Sequence, residues 1–229
     1  MIKNLDTFIS GDKIDLKVPT IKFAKNSNWY QLINSKKNNR YLDHGVFPNT
    51  KDDQVDFLKN SKKEGRLVLI VSDKSNNFIG VVNLSNINLE KKSAEIALII
   101  NLDKKISHVS NNILNSLESI SLVTTHAFDN LNINRITAGQ SISLYKWHNL
   151  MELLGYKIEG INKKKIFKNN NFTDAIIISC LREDYEFLKK RRGVLWDSSK
   201  SMLLRIKKLP KETAFYNKND SLLICLSFS

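Results

Sequence analysis

Two side chains that can accept a proton, those of Glu95 and His44, are candidates for chemistry in this sequence. Glu95 interrupts the apolar segment SAEIALII at residues 93–100, and His44 follows Asp43 in a polar stretch between two predicted helices. A carboxylate or an imidazole held beside a substrate can act as a general base, so both are candidate catalytic groups. The alternatives are an exposed charge at a strand end for Glu95 and a solvated loop histidine for His44.

Metal and disulfide chemistry is not indicated by the sequence. His108, His126 and His148 lie on or beside predicted helices, without a second ligand at metal-binding spacing. Cys180 and Cys225 lie inside apolar segments typical of strands. We therefore expect no metal site and two buried, unreactive thiols.

The composition is that of a folded and strongly basic protein. Hydrophobic residues make up 41% of the 229 residues, which is enough to bury the core of one domain of ordinary size. The net charge of +13 favours an anionic partner, whether a nucleotide, a nucleic acid or an acidic surface. The basic clusters at residues 163–165 and 189–192 are separated by acidic residues and lack interleaved aromatics. They predict solvated surface, which makes nucleic acid the least favoured of these partners.

No apolar segment approaches the roughly 20 residues that are needed to span a bilayer. The polar start MIKNLDTF has no signal-peptide core. These two features predict a cytoplasmic protein without a membrane span.

Strands and helices alternate along the chain. A helix is predicted after Ser27, and Thr50 begins a second one with the capping pattern Thr-Lys-Asp-Asp. Apolar residues then recur every three or four positions from Val109 to Leu131, which predicts about six turns of amphipathic helix. A further helix at residues 144–154 ends at Gly155. Strands are predicted at residues 14–18, 67–71, 78–84, 93–100, 134–138, 156–160 and 175–181.

Five segments in this order carry a family resemblance. They are FIGVV from Phe78, SAEIALII from Ser93, HAFDNL from His126, LMELLGYKIEG from Leu150 and FTDAIIISCLREDY from Phe172. The chain resembles the GNAT superfamily of acetyltransferases, in particular the branch of the ribosomal-protein N-terminal acetyltransferases. The resemblance implies a GNAT-like α/β (α+β) fold, with a mixed, mostly antiparallel central sheet flanked by helices.

The resemblance also implies where acetyl-CoA binds. In the family its pantetheine arm pairs with the strand before the central helix, which here contains Leu98, Ile99 and Ile100. Its pyrophosphate then lies on the backbone N–H groups at the start of the following helix. The implied cofactor residues there and beyond the next strand are Ser110, Asn111, Asn112 and Ser143.

The glycines that family members carry in this pyrophosphate loop are missing. No glycine occurs between Gly80 and Gly139. Glycine allows backbone to approach a phosphate closely, and asparagine is the next most tolerant residue of left-handed geometry. Asn111 and Asn112 are therefore the expected substitutes.

For acetyl transfer the resemblance implies Glu95 as the base, with His44 in the loop that borders the acceptor site. The tyrosine that protonates the leaving thiolate in many family members is replaced by Met151, which cannot donate a proton. The nearest hydroxyl groups belong to Ser141, Ser143 and Tyr145, and Tyr145 is the candidate acid.

Three functions remain open at this point. The first is an acetyl-CoA-dependent N-acetyltransferase acting on a primary amine of a small molecule, an amino sugar or a protein N-terminus. The second is a non-catalytic GNAT-fold binding or assembly protein with a decayed cofactor loop. The third is RNA or ribosome binding driven by the basic charge.

The resemblance does not cover the end of the chain. Residues 1–192 are predicted to form the GNAT-like domain, and residues 193–229 a C-terminal extension with a helix at 199–208 and a strand at 222–228. Its apolar residues can offset the ordering entropy by burial. We expect the extension to dock on the domain or on a second subunit in a homodimer.

Overall fold

A sheet of eight strands forms the centre of the described structure. The computed structural model describes residues 2–39, 47–101, 109–209, 212–216 and 223–227, and at residues 109–111, 145, 212–216 and 223–227 only the backbone. The strands of this sheet are β1 (Thr7–Ser10), β2 (Ile14–Lys17), β3 (Leu67–Asp73), β4 (Phe78–Asn88), β5 (Ser93–Ile100), β6 (Arg135–Ser141), β7 (Lys157–Lys168) and β8 (Asn171–Leu181). They lie in the order β1-β2-β3-β4-β5-β6-β8-β7. Only β5 and β6 are parallel neighbours; the other pairs in this sheet are antiparallel.

Helices connect the strands and cover both faces of the sheet. They are α1 (Ile21–Asn26), α2 (Gln31–Asn34), α3 (Lys36–Asn39), α4 (Lys51–Ser61), α5 (Val109–Asp129), α6 (Tyr145–Glu152), α7 (Arg182–Arg192) and α8 (Ser199–Lys207). This arrangement confirms the expected α/β architecture with a mixed, mostly antiparallel sheet flanked by helices.

The two faces of the sheet bury separate apolar clusters. We call the face that bears Ala94 and Ile96 the back face, and the face that bears Glu95 and Ala97 the front face, because side chains alternate along a strand. The back-face cluster includes Leu69, Leu84, Ile136 and Ile178 from the sheet and Leu117, Val123 and Phe128 from α5. The front-face cluster includes Val68, Ile70 and Val81 from the sheet and Phe23, Trp29, Leu32 and Val55 from the helical region between β2 and β3.

Several predicted elements are confirmed, and others are longer than predicted. The segment at residues 93–100 forms β5 with the predicted bounds, and α5 begins at Val109 in the described chain. The Thr50 hydroxyl accepts a hydrogen bond from Asp53 N at 3.1 Å, and the Asp53 carboxylate accepts one from Thr50 N at 2.8 Å. The predicted capping box is therefore formed. β7 and β8 extend past the predicted strands and form one long hairpin.

Two features of the first forty residues differ from the prediction. β1 pairs with β2 although no strand was predicted before Ile14. Its side chains are largely exposed, so the segment lacks the alternating burial that marks a strand in sequence. In place of one helix after Ser27 there are two short helices, α2 and α3, and a further short helix, α1, lies before Ser27 and is capped by the Thr20 hydroxyl.

The central helix α5 carries a buried carboxylate that holds the β1–β2 turn. Glu118 is fully buried, and its carboxylate accepts hydrogen bonds from the backbone N–H groups of Asp12 and Lys13. An added Cβ at Gly11 would overlap Glu118 Oε1, so glycine is required there. Burial raises the pKa of Glu118 to about 7, and the two backbone hydrogen bonds act in the opposite direction.

The first part of the chain after α7 packs against the sheet domain. Leu195 and Met202 are buried in the back-face cluster, and Ser199 N donates a hydrogen bond to Asp12 Oδ2 at 2.8 Å. Two further strands, β9 (Glu212–Tyr216) and β10 (Leu223–Ser227), pair with each other as a separate antiparallel hairpin. β10 overlaps the strand predicted at residues 222–228, whereas β9 was not predicted.

Gly80 is the point at which β4 passes closest to β5. An added Cβ there would overlap the carbonyl oxygen of Ile99 and lie 3.1 Å from Ile100 Cα. We expect Gly80→Ala to lower the free energy of unfolding by about 1–3 kcal/mol, because backbone atoms of β5 must shift to admit the methyl group. Urea denaturation measures this change.

Gly160→Ala is the matched control for this prediction. Gly160 also lies in a strand of the sheet, but a Cβ added there meets no atom within 4 Å. Its substitution should change the stability by only a few tenths of a kcal/mol. Equal effects of the two variants would contradict the close approach at Gly80.

Candidate active site

The parallel pairing of β5 and β6 stops part of the way along both strands. Their register contains the pairs Ser93 with Arg135, Ala94 with Ile136 and Glu95 with Thr137, and no later pair. β5 continues to Ile100 alongside β4, and β6 continues to Ser141 alongside β8. The facing edges of β5 and β6 therefore diverge beyond Glu95, and the backbone groups on those edges have no ladder partner.

A cavity of about 500 Å³ occupies the front face at this divergence. Its walls come from the end of the α4–β3 connection and from β4, β5, β6, β7 and β8. The lining residues used below are Arg66, Asn83, Glu95, Thr137, Gly139 and Lys165. The cavity is large enough to hold a small substrate in contact with several walls.

Glu95 lies at the point where the two strands separate. Its neighbour on one side is Ser85 of β4, and its neighbour on the other is Thr137 of β6. The Glu95 side chain is exposed, and it makes no hydrogen bond or ion pair with the described residues. A free carboxylate thus faces the cavity.

Arg66 lies in the same cross-strand row as Glu95. It directly precedes β3, one position beyond the pair of Leu67 with Leu84, and so falls opposite Ser85. Two strand spacings, about 10 Å, separate its backbone from that of Glu95. Its Nε lies 3.0 Å from Glu64 Oε2, and its guanidinium lies over the Phe57 ring at 5.7 Å from the centroid.

The cavity floor beside Glu95 is made of small side chains and one amide. Ala97 and Gly139 lie on the facing edges of β5 and β6, where large side chains would fill the gap. Asn83, paired with Ala97, presents a buried Oδ1 atom that accepts no hydrogen bond from the described residues. That oxygen can accept a hydrogen bond from a bound donor.

Lys165 reaches the cavity through an irregularity in β7. Asn162 pairs with Ala175 and Ile166 with Thr173, so β7 has extra residues between these pairs. Lys164 in this bulge has a φ of 52°, and its N–H donates to Asp174 Oδ1 at 2.8 Å. Bulges redirect side chains beside active sites, and here the bulge places Lys165 on the cavity wall.

A neutralised cluster lies at the closed end of the divergence. Arg135 donates to both carboxylate oxygens of Glu159, at 2.6 Å for Nη1 and Oε1, and the Ser179 hydroxyl donates to Glu159 Oε1 at 2.7 Å. The Arg135 guanidinium holds the pKa of Glu159 below its ordinary value. The charge of Arg135 is thus satisfied, whereas Lys165 makes no ion pair with the described residues.

The predicted cofactor residues fall on two elements beside the divergence. The side chains of Leu98 and Ile100 pack on the back-face cluster and that of Ile99 on the front-face cluster, which leaves only their backbone for pairing with a ligand. Asn112 is half-buried in the first turn of α5. Ser143 is exposed in the short 3-10 helix after β6.

Other predicted residues lie partly or wholly outside the described structure. Asp43 and His44 are outside the described residues. Ser110, Asn111 and Tyr145 are described by backbone alone, the first two in the first turn of α5 and the third at the start of α6. Met151 is buried in the back-face cluster, at 2% exposure.

Three cavity residues were not predicted from the sequence. Lys165 belongs to a basic cluster that predicted solvated surface, and only the bulge in β7 shows that it lines the cavity. Arg66 and Asn83 were not singled out. The position of Asn83 in an apolar strand, opposite small residues, was the signal that could have revealed it.

The described residues do not meet the requirements of a metal cluster, a reactive thiol or a membrane-spanning helix. Within them, no group of three or more His, Cys, Asp or Glu side chains is arranged to hold a metal ion. Cys180 is buried, as predicted, and burial raises its pKa to about 12, whereas the Cys225 side chain is outside the description. No helix of the described chain is long and apolar enough to cross a membrane.

The arrangement suits acid–base chemistry on a polar substrate. Glu95 can accept a proton from a group in the cavity, and the open edge of β5 can pair with an extended amide-bearing chain. The two cations of the wall can bind an anionic group. Glu95, the open edge of β5 and the two cations all lie in one cleft, where β5 and β6 separate.

Comparison with known proteins identifies the fold. No protein-family model matches the chain, and no curated protein matches its sequence significantly. Among solved structures, the chain is similar to spermidine N-acetyltransferase from Vibrio cholerae in complex with CoA and spermine, with 20% identity and a TM-score of 0.66 over 76% of this chain and 98% of that one. It is also similar to the microcin C7 self-immunity acetyltransferase MccE in complex with acetyl-CoA and AMP, with 23% identity and a TM-score of 0.58 over 75% of this chain and 93% of that one.

Identities of this size show a shared fold. The structural similarity covers nearly the whole of both acetyltransferases and about three quarters of this chain. The protein therefore has the GNAT acetyltransferase fold.

Proposed function

We propose that the protein is an acetyl-CoA-dependent N-acetyltransferase that acts on a primary amine. The observation that carries this proposal is the end of β5–β6 pairing at Glu95 and Thr137, which leaves an open strand edge beside a free carboxylate. The similar spermidine and microcin acetyltransferases were solved with CoA or acetyl-CoA bound, which supports the same co-substrate here. Within the superfamily we propose a relation to the ribosomal-protein N-terminal branch, supported by the motifs from Ser93 and Leu150.

The residues of the cleft have separate roles in this proposal. The backbone of β5 from Leu98 to Ile100 pairs with the pantetheine amides, because those edge groups have no ladder partner. The first turn of α5, with Ser110, Asn111 and Asn112, supplies unpaired N–H groups to the pyrophosphate. Ser143, in the 3-10 helix after β6, binds the co-substrate near its thiol end.

Glu95 is the proposed base in the transfer step. The amine nitrogen forms a bond to the acetyl carbonyl carbon, the bond from that carbon to sulfur breaks, and the amine proton passes to the Glu95 carboxylate directly or through water. The thiolate leaves and takes its proton from Tyr145 or from solvent, since a thiol is acidic enough to leave without a dedicated acid. His44 is proposed at the acceptor end of the cleft.

Binding of acetyl-CoA is the first test of this function. Isothermal titration should show saturable, one-site binding, and the thiol of CoA should then be released when a suitable primary amine is added. ATP is the control ligand, because a protein with a net charge of +13 attracts any polyanionic nucleotide. Equal binding of ATP and acetyl-CoA, or no acetyl-CoA binding at millimolar concentration, would contradict the proposal.

A non-catalytic binding or assembly role is the second candidate function. It is favoured by the burial of Met151, at the position where many family members carry a proton-donating tyrosine, and by the absence of glycine between Gly80 and Gly139. The same titration separates the two functions. A protein without a cofactor site shows no specific heat with acetyl-CoA.

The end of the chain forms an extension of the domain in this proposal. We propose that residues 193–229 form an extension of a domain comprising residues 1–192. Burial of Leu195 and Met202 in the back-face cluster supports docking of the first part on its own domain. A homodimer formed through the remainder of the extension is part of the same proposal.

A further inference from the structure

The charges of the cavity wall constrain the acceptor. Among the lining residues described, Glu95 is the one acidic side chain, whereas Arg66 and Lys165 are both cationic. An acceptor made only of amines would meet the ammonium of Lys165 and the guanidinium of Arg66, which is paired with Glu64 outside the lining, beside the single free carboxylate of Glu95. Like charges that are brought together inside a partly desolvated cleft cost free energy, so this wall disfavours a polyamine.

Both cations have hydrogen-bond donors left over. The Arg66 guanidinium lies over the Phe57 ring, its Nε is 3.0 Å from Glu64 Oε2 in an ion pair without hydrogen-bond geometry, and its two Nη groups donate to no described residue. Lys165 makes no ion pair with the described residues, although its bulge is fixed by the hydrogen bond from Lys164 N to Asp174. Cations with free donors bind carboxylate or phosphate oxygens through charge-assisted hydrogen bonds.

The remaining polar groups of the cavity suit the amine end of the same molecule. Asn83 Oδ1 is buried and lacks a donor, and Glu95 lies in the adjacent row of the same face. Both oxygens accept hydrogen bonds, so they can share an ammonium or amine group. The cavity therefore has hydrogen-bond acceptors at its floor, from Asn83 and Glu95, and cationic donors on its walls, from Arg66 and Lys165.

We propose that the acceptor is a primary amine that also carries a carboxylate or phosphate group, and that Arg66 and Lys165 select it through that group. This inference rests on the proposed N-acetyltransferase activity and names its substrate class. Arg66 and Lys165 are specificity-determining residues of the acceptor site in this scheme, and the co-substrate does not depend on them.

Matched pairs of amines test the proposal through the release of CoA thiol. The pairs are O-phosphoethanolamine with ethanolamine, 4-aminobutyrate with butylamine, and glucosamine 6-phosphate with glucosamine, and spermidine is tested alone. In at least one pair the anionic member should have a kcat/KM about tenfold or more above its partner and above spermidine, the size expected for a hydrogen bond between charged groups. The pair that responds tells whether the anion is a phosphate or a carboxylate.

Two variants locate the selectivity. Lys165→Met and Arg66→Gln should each raise KM for the preferred acceptor about tenfold, with KM for acetyl-CoA unchanged. Lys163→Met is the matched control, because Lys163 is an exposed residue of the same bulge that does not line the cavity. Thermal unfolding of each variant shows whether the fold is retained, and Lys165→Met replaces an exposed side chain that packs on nothing essential to the sheet.

Several results would overturn the inference. Turnover that is fastest with spermidine or with the uncharged member of every pair removes the anionic group from the substrate, while the N-acetyltransferase activity stands. A rise in KM for acetyl-CoA in the two variants assigns the cations to the co-substrate. If no amine releases thiol and acetyl-CoA does not bind, the proposed function fails, and the inference that rests on it fails too.

Discussion

Replacing Glu95 by glutamine is expected to lower kcat for acetyl transfer by about 100-fold or more, while the affinity for acetyl-CoA stays nearly the same. Glutamine keeps the size and the hydrogen-bonding oxygen of glutamate but cannot accept a proton, and positioned general bases contribute roughly 10²–10⁴ in rate. The side chain is exposed and unpaired, so its replacement removes no structural contact among the described residues. Thiol-release kinetics and isothermal titration measure the two quantities.

The pH dependence of the defect distinguishes a base from a structural residue. An alkylamine such as the lysine side chain has a pKa of about 10.4, so near pH 10 a large fraction of such an acceptor has already lost its proton to solvent. The deficit of Glu95→Gln should therefore shrink as the pH is raised. Glu90→Gln, in the exposed turn between β4 and β5, is the control and should behave like the wild type. Full activity of Glu95→Gln would remove Glu95 from the role of base.

The fold was predictable because local patterns agreed with the final structure. The alternating and continuous apolar segments gave β3, β4 and β5 directly, and the apolar repeat every three or four residues gave α5. These elements bury one or both faces in the core, so their sequences carry the signal. β1 was not predicted because it is an exposed edge strand, and the turn after it donates hydrogen bonds to Glu118, which lies more than a hundred residues further along the chain.

The candidate site was predictable only where it coincides with a strand. Glu95 was found because it lies at the start of the predicted cofactor strand and matches the acidic residue that many family members carry there. Lys165 was not, because a bulge in β7 and its anchor Asp174 determine which of three consecutive lysines faces the cavity. Arg66 reaches the site through strand register, which a single sequence does not specify. Charge in the cleft thus follows from tertiary pairing, and local composition does not reveal it.

Glu118 carries a second carboxylate, which is buried, whereas that of Glu95 is exposed. It lies on α5 and faces the β1–β2 turn. Its burial disfavours the ionised form, because a charged carboxylate there is kept away from water. The charged groups around it are Asp12, Lys13 and Lys74, of which Asp12 raises its pKa and Lys74 lowers it. Two backbone N–H groups are the hydrogen-bond donors to its carboxylate, and a glutamine oxygen can accept from them as well.

Stability is expected to fall as the pH rises through the titration of Glu118. Its folded-state pKa of about 7 lies above its ordinary value of 4.5, so between these values the folded protein binds more protons than the unfolded chain. Linkage then makes the free energy of unfolding decrease with rising pH in this window, by about 3 kcal/mol in total. The stabilisation is complete below pH 4.5 and is lost above pH 7.

Glu118→Gln isolates this effect, because the variant is neutral at every pH while other titrating groups are unchanged. The free energy of unfolding of the variant, relative to the wild type, should rise by about 2.5 kcal/mol between pH 5 and pH 8. Urea denaturation of both proteins at four pH values across this range gives the difference directly. Glu90→Gln should show a flat difference, since that carboxylate is exposed. A flat difference for Glu118→Gln as well would mean that its carboxylate is already ionised at pH 5, held by the N–H groups of Asp12 and Lys13.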